Sequence, residues 1–400
     1  MRVRPLVLSL VALLSLTACS SAPPRVSHPS GKGAAGADRV VPDSSRETGR
    51  HRSSGGLSVT LASHRLGATD HLAGDYADHP SVQAFIVRMQ REHGFDPAYL
   101  TGVFSGAQRQ QWILNFVNRP RVHGPSVPTG AWTRYRAKFL TEHNIDAGVD
   151  FWRRYRSALD RAYARYGVPP EYIVAILGVE THYGSYMGKP RVLDALTTLA
   201  FDYPRRAEYF TGELEAFLLM VREEGMDPFQ PVGSYAGAMG LAQFMPSSFR
   251  RFAVDFDGDG KRNLWSPVDA IGSVANYFAS HGWKRGELVA VRADVRGSAP
   301  HAMQADYKTR YPLDVLRGRG IRSSLAGNGE VSLLRLDARG GYQYWLGLSN
   351  FYVITRYNHS TYYAMAVHQL AQAIRARHGP WPAPTLTQEA PPLSSSGPRG

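Results

Sequence analysis

Ile173, Ile176 and Leu177 recur at helical spacing within residues 169–184, and the next position on that stripe, seven residues after Ile173, is Glu180. Pro169 and Pro170 follow Gly167, where prolines open a helix, and Gly184 is placed to end it. A broad apolar face of Phe151, Trp152, Tyr155, Leu159, Ala162, Tyr163 and Tyr166 predicts a helix running up to Gly167. Residues 209–222 and 267–281 read as further helices, and Ala364, Val367, Leu370, Ala371 and Ile374 mark a last one. From about 286 to 337 the period changes, with 288–291 and 331–336 reading as short β segments separated by Gly and Pro. The pattern therefore predicts a mainly α domain over residues 76–379 with a small β-containing insertion.

Both ends lack this pattern. Arg2 and Arg4 precede an apolar stretch, residues 6–16, that is too short to span a bilayer as a mature helix. It ends in Leu16-Thr17-Ala18-Cys19, which resembles a bacterial lipobox; residues 1–18 are then a lipoprotein signal peptide and Cys19 the lipidated first residue. Cys19 is the only cysteine of the chain, so an internal disulfide is excluded and an anchor explains this thiol better than catalysis or metal binding. Ser20, where inner-membrane retention expects Asp, favours the outer membrane, with the chain facing the periplasm. Residues 19–75, rich in Ser, Gly, Pro and Arg, are expected to form a flexible linker, and 380–400 a disordered tail. The formal charge of +13 comes from arginines spread along the chain, without the dense block that nucleic acid requires. A polyanionic envelope polymer or an anionic lipid surface suits it, as does a plain soluble basic surface.

Four constellations bear chemistry. Glu180 shares its helix face with large aliphatic side chains, and both burial and the negative helix end disfavour its anion. That suits a general acid, although a structural carboxylate paired with Arg would look the same. The small-residue run 233–248 leaves room for a backbone or flat ligand beside Ser234, Tyr235 and Gln243, or simply packs tightly; no Lys-Ser or Lys-Thr pair follows that would make it a nucleotide loop. Residues 350–363 interleave tyrosines with Asn, Ser and Thr, as a saccharide groove does, while buried tyrosines with satisfied hydroxyls are the commoner explanation for any one of them. Asp255, Asp257 and Asp259 take loop positions 1, 3 and 5, with Gly260 at 6 and Lys261 at 7, as in the first half of an EF-hand loop. Position 12 is Ser266 in place of Glu, and Asp269 is placed to close the sphere around a structural Ca²⁺; the competing reading is an Asp/Gly turn.

In this order, Gly178-Val179-Glu180-Thr181 with Gly184, the run 233–248, and residues 350–367 resemble the membrane-bound lytic murein transglycosylase B family from about Asp78 to about Arg377. The resemblance implies a lysozyme-like helical domain with additional lobes, and Glu180 as sole catalytic acid/base. It implies a glycan groove that includes Tyr135, Arg205, Arg206, Ser234, Gln243, Tyr277, Tyr357, Asn358 and Tyr363, and a calcium loop that uses the late Asp269. Tyr235 is expected at the groove from its place in the small-residue run. Asp257 makes the loop more acidic than the family pattern, and His182-Tyr183 falls where the family varies. The implied reaction cleaves the β-1,4 bond between N-acetylmuramic acid and N-acetylglucosamine without water, leaving 1,6-anhydro ends. A hydrolytic muramidase and a non-catalytic wall-binding lipoprotein are the alternatives. Asp194, Asp202, Glu208 and Glu213 read as structural or solvent-facing. The expected partners are peptidoglycan strands, outer-membrane lipid through Cys19, and wall synthases or hydrolases; no organic cofactor and no nucleic acid are expected.

Overall fold

The computed structural model describes residues 71–120 and 129–381. The signal peptide, Cys19, the linker up to residue 70 and the tail beyond Trp381 lie outside the described residues. Two described segments fall inside the ranges expected to be flexible. Gly74–Tyr76 forms a 3-10 turn with Tyr76 buried, and Trp381 sits edge-on to Trp152 and Tyr163 while its indole N–H donates to Asp160 at 2.9 Å.

The helix Pro170–Thr181 is the axis of the core. It is buried on nearly every side, from Tyr172 through Val179, rather than along one stripe, because its apolar residues continue round the whole circumference. It packs against Thr361–His378, Glu142–Arg154, Arg156–Tyr166 and Pro267–Ser280. The single helix expected before Gly167 is in fact two, broken at Tyr155 (φ −108°, ψ 25°). No Gly or Pro marks that break. It lets Phe151 and Trp152 on one half, and Leu159 and Ala162 on the other, all reach the core.

The β-containing lobe runs further than expected, to Gly347. Its five antiparallel strands are β1 (Ala290–Val295), β2 (Tyr311–Pro312), β3 (Ile321–Arg322), β4 (Glu330–Ala338) and β5 (Gly341–Gly347), in the order β2-β4-β5-β1-β3. In β4 the alternation divides the labour: Leu334, Leu336 and Ala338 face the helical core, while Val331 and Leu333 face a second cluster with Leu313, Leu316 and Leu346. Asp337, at the end of β4, ties the lobe to the body. Its carboxylate accepts from the amides of Thr129, Gly130 and Ala131 at 3.1, 2.9 and 3.2 Å and so caps the helix Ala131–Arg136.

Candidate active site

Glu180 stands one residue before the end of the central helix, half-buried, and the hydroxyl of Tyr363 donates to its Oε1 at 2.5 Å. Burial pushes its carboxyl up to about 7, and the Tyr363 hydrogen bond, which favours the anion, opposes that rise. Tyr363 is fully buried in the first turn of Thr361–His378, where its amide donates to the Ser360 capping hydroxyl at 3.3 Å. Burial and the nearby Glu180 charge push the Tyr363 hydroxyl far above its ordinary range, so it remains a donor.

A tyrosine layer extends from this pair. The Tyr357 ring stacks with Tyr363 at 6.5 Å and 12°, and its hydroxyl donates to the Ala242 carbonyl at 2.6 Å. Tyr277 meets Tyr357 at 4.8 Å and donates to the Arg356 carbonyl at 2.6 Å. Tyr135, on the helix capped by Asp337, is near enough to Glu180 for that charge to add to burial in raising its hydroxyl.

The small-residue run folds back under this layer. Gln243 adopts φ 50° and its Nε2 donates to the Gly240 and Met187 carbonyls at 2.9 and 3.2 Å. Gly240 is required where it stands, since a Cβ there would lie 2.5 Å from the Leu264 carbonyl oxygen. The Thr181 hydroxyl faces both the Leu177 and Leu241 carbonyls, at 3.2 and 3.1 Å, joining the end of the Glu180 helix to this run. Ser234 is buried with its Oγ accepting from the Ala236 and Ala238 amides at 3.3 and 3.0 Å, so it shapes the turn. Tyr235 is also buried, its ring 4.9 Å from Phe116. Asn358 occupies the bend between Ser349–Tyr357 and Thr361–His378. Arg205 and Arg206 stand apart on the turn Pro204–Arg206, with Arg206 lying 4.1 Å over Tyr209; among the described residues no hydrogen bond or ion pair joins them to the Glu180 cluster.

The neighbouring carboxylates are occupied elsewhere. Asp194 pairs with Arg191 at 2.7 Å, Asp202 with Arg109 at 3.1 Å, and Glu213 accepts from the Ser247 amide and hydroxyl at 3.0 and 2.7 Å; Glu208 is exposed. Among the described residues none of them bonds to Glu180.

Sequence reasoning missed the elbow that follows the Glu180 helix. His182 and Tyr183 both adopt the left-handed conformation, φ 47° and 58°, which side chains with a Cβ seldom take. Asn144 holds both: its Oδ1 accepts from His182 Nδ1 at 3.0 Å and its carbonyl from the Tyr183 hydroxyl at 2.9 Å. Gly148 and Gly178 make the room, since a Cβ on either would lie 2.5 Å from that hydroxyl oxygen. The one available signal was Gly178 itself, because a glycine inside a buried helix costs about 1 kcal/mol and calls for a packing reason.

Away from this cluster, carboxylate oxygens of Asp255, Asp257 and Asp269 lie within 4.8 Å of one another. Such a set of hard oxygen donors fits a calcium-sized cation. Buried Asp269 is more committed than its spacing suggested. Its oxygens accept from the amides of Phe256, Asp257 and Asn263 at 2.8, 3.2 and 2.7 Å, leaving about one of a carboxylate's four acceptor sites. Asp259 accepts from the Lys261 amide at 2.9 Å and is not part of the three-carboxylate group.

Residues 77–372 match the family model described as the transglycosylase SLT domain. The chain is 55% identical over 309 residues to the membrane-bound lytic murein transglycosylase B of Escherichia coli (strain K12), covering 76% of this chain and 85% of that protein. The structure of the Escherichia coli lytic transglycosylase Slt35 in complex with calcium aligns with a TM-score of 0.73 at 53% identity, covering 77% of this chain and 96% of that one. SltB3 of Pseudomonas aeruginosa in complex with NAG-anhNAM-pentapeptide aligns with a TM-score of 0.65 at 32% identity, covering 74% and 78% of the two chains. The lysozyme-like helical fold expected from the sequence is the one found.

Proposed function

The chain belongs to the transglycosylase SLT family and is a lytic murein transglycosylase, and from that premise we propose that Glu180 alone carries both proton transfers of its reaction. Protonated Glu180 gives its proton to the oxygen that joins N-acetylmuramic acid to N-acetylglucosamine, and the bond from that oxygen to muramoyl C1 breaks. The carboxylate so formed takes the proton of the muramoyl C6 hydroxyl, whose oxygen closes on C1 as the 1,6-anhydro ring. No water enters. The substrate's own N-acetyl oxygen is placed to steady C1, the assisted route that dispenses with a second carboxylate.

The observation that carries this reading is a single carboxyl, lifted to about 7 and bonded to one tyrosine, with the nearby carboxylates engaged elsewhere. Tyr135, Tyr277 and Tyr357 would form the sugar-facing wall with the buried Tyr363 behind them holding Glu180, and Gln243, Asn358 and the two arginines would lie further along the groove. Ser234 and Tyr235 would support it from behind. Mass spectrometry of digested peptidoglycan tests the reaction: 1,6-anhydromuramoyl ends are expected, absent with Glu180→Gln, and reducing muramic ends would overturn the proposal.

Two finer readings go with it. Asp255, Asp257, Asp259, the Lys261 carbonyl and Asp269 would hold a structural Ca²⁺, supported by the carboxylate grouping and by the calcium complex of the Slt35 relative. When bound, the ion supplies charge balance to the loop and no step of the reaction. Lipidation of Cys19 would hold the enzyme at the outer membrane facing the periplasm. The lipobox resemblance and the membrane-bound name of the curated relative support this. Among the described residues no helix is long and apolar enough to cross a membrane.

A further inference from the structure

The junction between the helical body and the sheet lobe holds a pocket of about 370 Å³, lined by His281, Lys308, Arg310, Ser349 and Tyr352. Its charge is one-sided. Among the described residues neither Lys308 nor Arg310 forms an ion pair: Arg310 donates to the Glu330 main-chain carbonyl at 2.6 Å, and the Lys308 ammonium lies 5.8 Å from the Tyr307 ring centre. Asp306, the nearest carboxylate in sequence, is turned onto its own loop, accepting from the Lys308 and Thr309 amides at 2.8 and 2.7 Å and from Gln304 at 2.7 Å.

The Arg356 guanidinium adds to the field from 5.5 Å over the Tyr352 ring, donating to its hydroxyl at 3.1 Å. The imidazoles of His281 and His359 register the field, both held below the ordinary range by burial first and then by Arg356. Ser349 opens the helix Ser349–Tyr357, whose first-turn amides point partial positive charge the same way.

The pocket also adjoins the candidate groove. His281 stacks on Tyr277 at 4.1 Å, and Tyr277 in turn meets Tyr357 at 4.8 Å. A ring that lines the cationic pocket is therefore in contact with the tyrosine layer that reaches Glu180.

We propose that this pocket is a subsite for the carboxylates of the stem peptide carried by the muramoyl sugar, with Lys308 and Arg310 as the charges that receive them and the exposed Tyr352 ring as the surface for the peptide's apolar parts. The proposal rests on the reading of the groove as a peptidoglycan site. In a strand that carries its peptides the lactyl carboxyl of the muramoyl sugar is tied up in an amide, so the sugars offer no charge of their own, whereas the peptide bears free carboxylates. Charge-assisted hydrogen bonds at a partly open site are screened by salt, so the contribution is greatest at low ionic strength.

The experiment compares two substrates, glycan strands with their stem peptides and the same strands stripped by an amidase and then capped as methyl amides at the freed lactyl carboxyls, for wild type and for Lys308→Gln/Arg310→Gln. On peptide-bearing strands KM should rise by about tenfold at low salt with kcat kept, and the rise should shrink in high salt. On stripped strands the variant should match wild type. Arg310→Lys, which keeps the charge and loses the bond to Glu330, should recover most of the affinity. Titration with free tetrapeptide should show weaker binding to the double variant, and amidating the peptide's carboxyls should have the same effect on wild type.

Equal losses on both substrates, or unchanged tetrapeptide affinity, would overturn the subsite. Tighter binding of inorganic phosphate than of the carboxylate peptide would overturn it too, pointing to a phosphate-bearing polymer. Reducing-end products alongside intact, charge-dependent peptide binding would instead sink the reaction assignment and leave the subsite standing.

Discussion

At Glu180 two opposing effects set one proton. Burial lifts the carboxyl to about 7, and the hydrogen bond from Tyr363 draws it back. A proton donor acts in its protonated form, so the rate should fall as pH rises through about 7. Tyr363→Phe removes the group that favours the anion, so the falling limb should move to higher pH, while kcat drops with the loss of orientation; a limb that stays put or moves down would refute the pairing. The same burial costs stability. A carboxyl that titrates higher when folded than when unfolded holds extra protons between the two values, so it weakens the fold progressively as pH rises through that window. Glu180→Gln should therefore melt higher than wild type at pH 8, by on the order of 1 kcal/mol in unfolding free energy, with the difference vanishing near pH 4. Calorimetry at both pH values checks the sign, and an equal or lower melt at pH 8 would mean that the carboxylate is better satisfied than its surroundings suggest.

The helix that carries Glu180 is held at its end by an elbow built from unlikely residues. Neither His182 nor Tyr183 favours the left-handed conformation, and Asn144 with two glycines holds them there; such strain tends to be kept where geometry matters. Gly178→Ala gains helix propensity yet pushes a methyl against the Tyr183 ring and hydroxyl, so a net loss of about 1–2 kcal/mol is expected, with lower kcat and little change in KM. Tyr183→Ala empties that space, so the double variant should be less damaged than the two losses added; strict additivity in denaturant melts would disprove the contact. This is also where the sequence was least legible. The Glu180 helix was readable because three aliphatic side chains and a carboxylate repeat at its period, and β4 because its residues alternate. The break at Tyr155 carried no Gly or Pro, and β5, in which Tyr342 and Tyr344 alternate after two glycines, lies beyond the end expected for the β-containing insertion. The bond between Glu180 and Tyr363 joins residues 183 apart in sequence, a pairing that no local pattern contains; the family resemblance implied both residues at the site without pairing them. The elbow was invisible because its conformation contradicts its residues' propensities.

Across the whole molecule, helical body and sheet lobe share one core, since β4 and β5 lean Leu334, Leu336 and Trp345 onto it, and Asp337 joins the lobe to the helix that carries Tyr135. The acidic loop is a second tie of this kind. Asp269 gathers three loop amides at the start of Pro267–Ser280, and the Val254 amide donates to Ser273 Oγ at 3.0 Å further along that helix, whose last turns carry Tyr277 and the approach to the cationic pocket. Asp255, Asp257 and Asp269 bring like charges together, and that repulsion is relieved when a cation binds the folded state alone. Calcium at about 100 times its dissociation constant would add about 2.7 kcal/mol, a rise of several degrees for a domain of this size. Chelation should therefore lower the melting temperature by that amount in one cooperative transition, because both lobes share the core, and leave turnover well below the melt nearly unchanged, because among the described residues no carboxylate of the loop bonds to Glu180. Asp269→Asn presents either an amide oxygen or an amide nitrogen to the three N–H donors, so it should melt lower than wild type without metal and lose the calcium response. A melting curve indifferent to chelator and to added calcium would reduce the loop to an Asp/Gly turn, and a chelator that stopped turnover at temperatures where the fold is intact would give the ion a part in the chemistry.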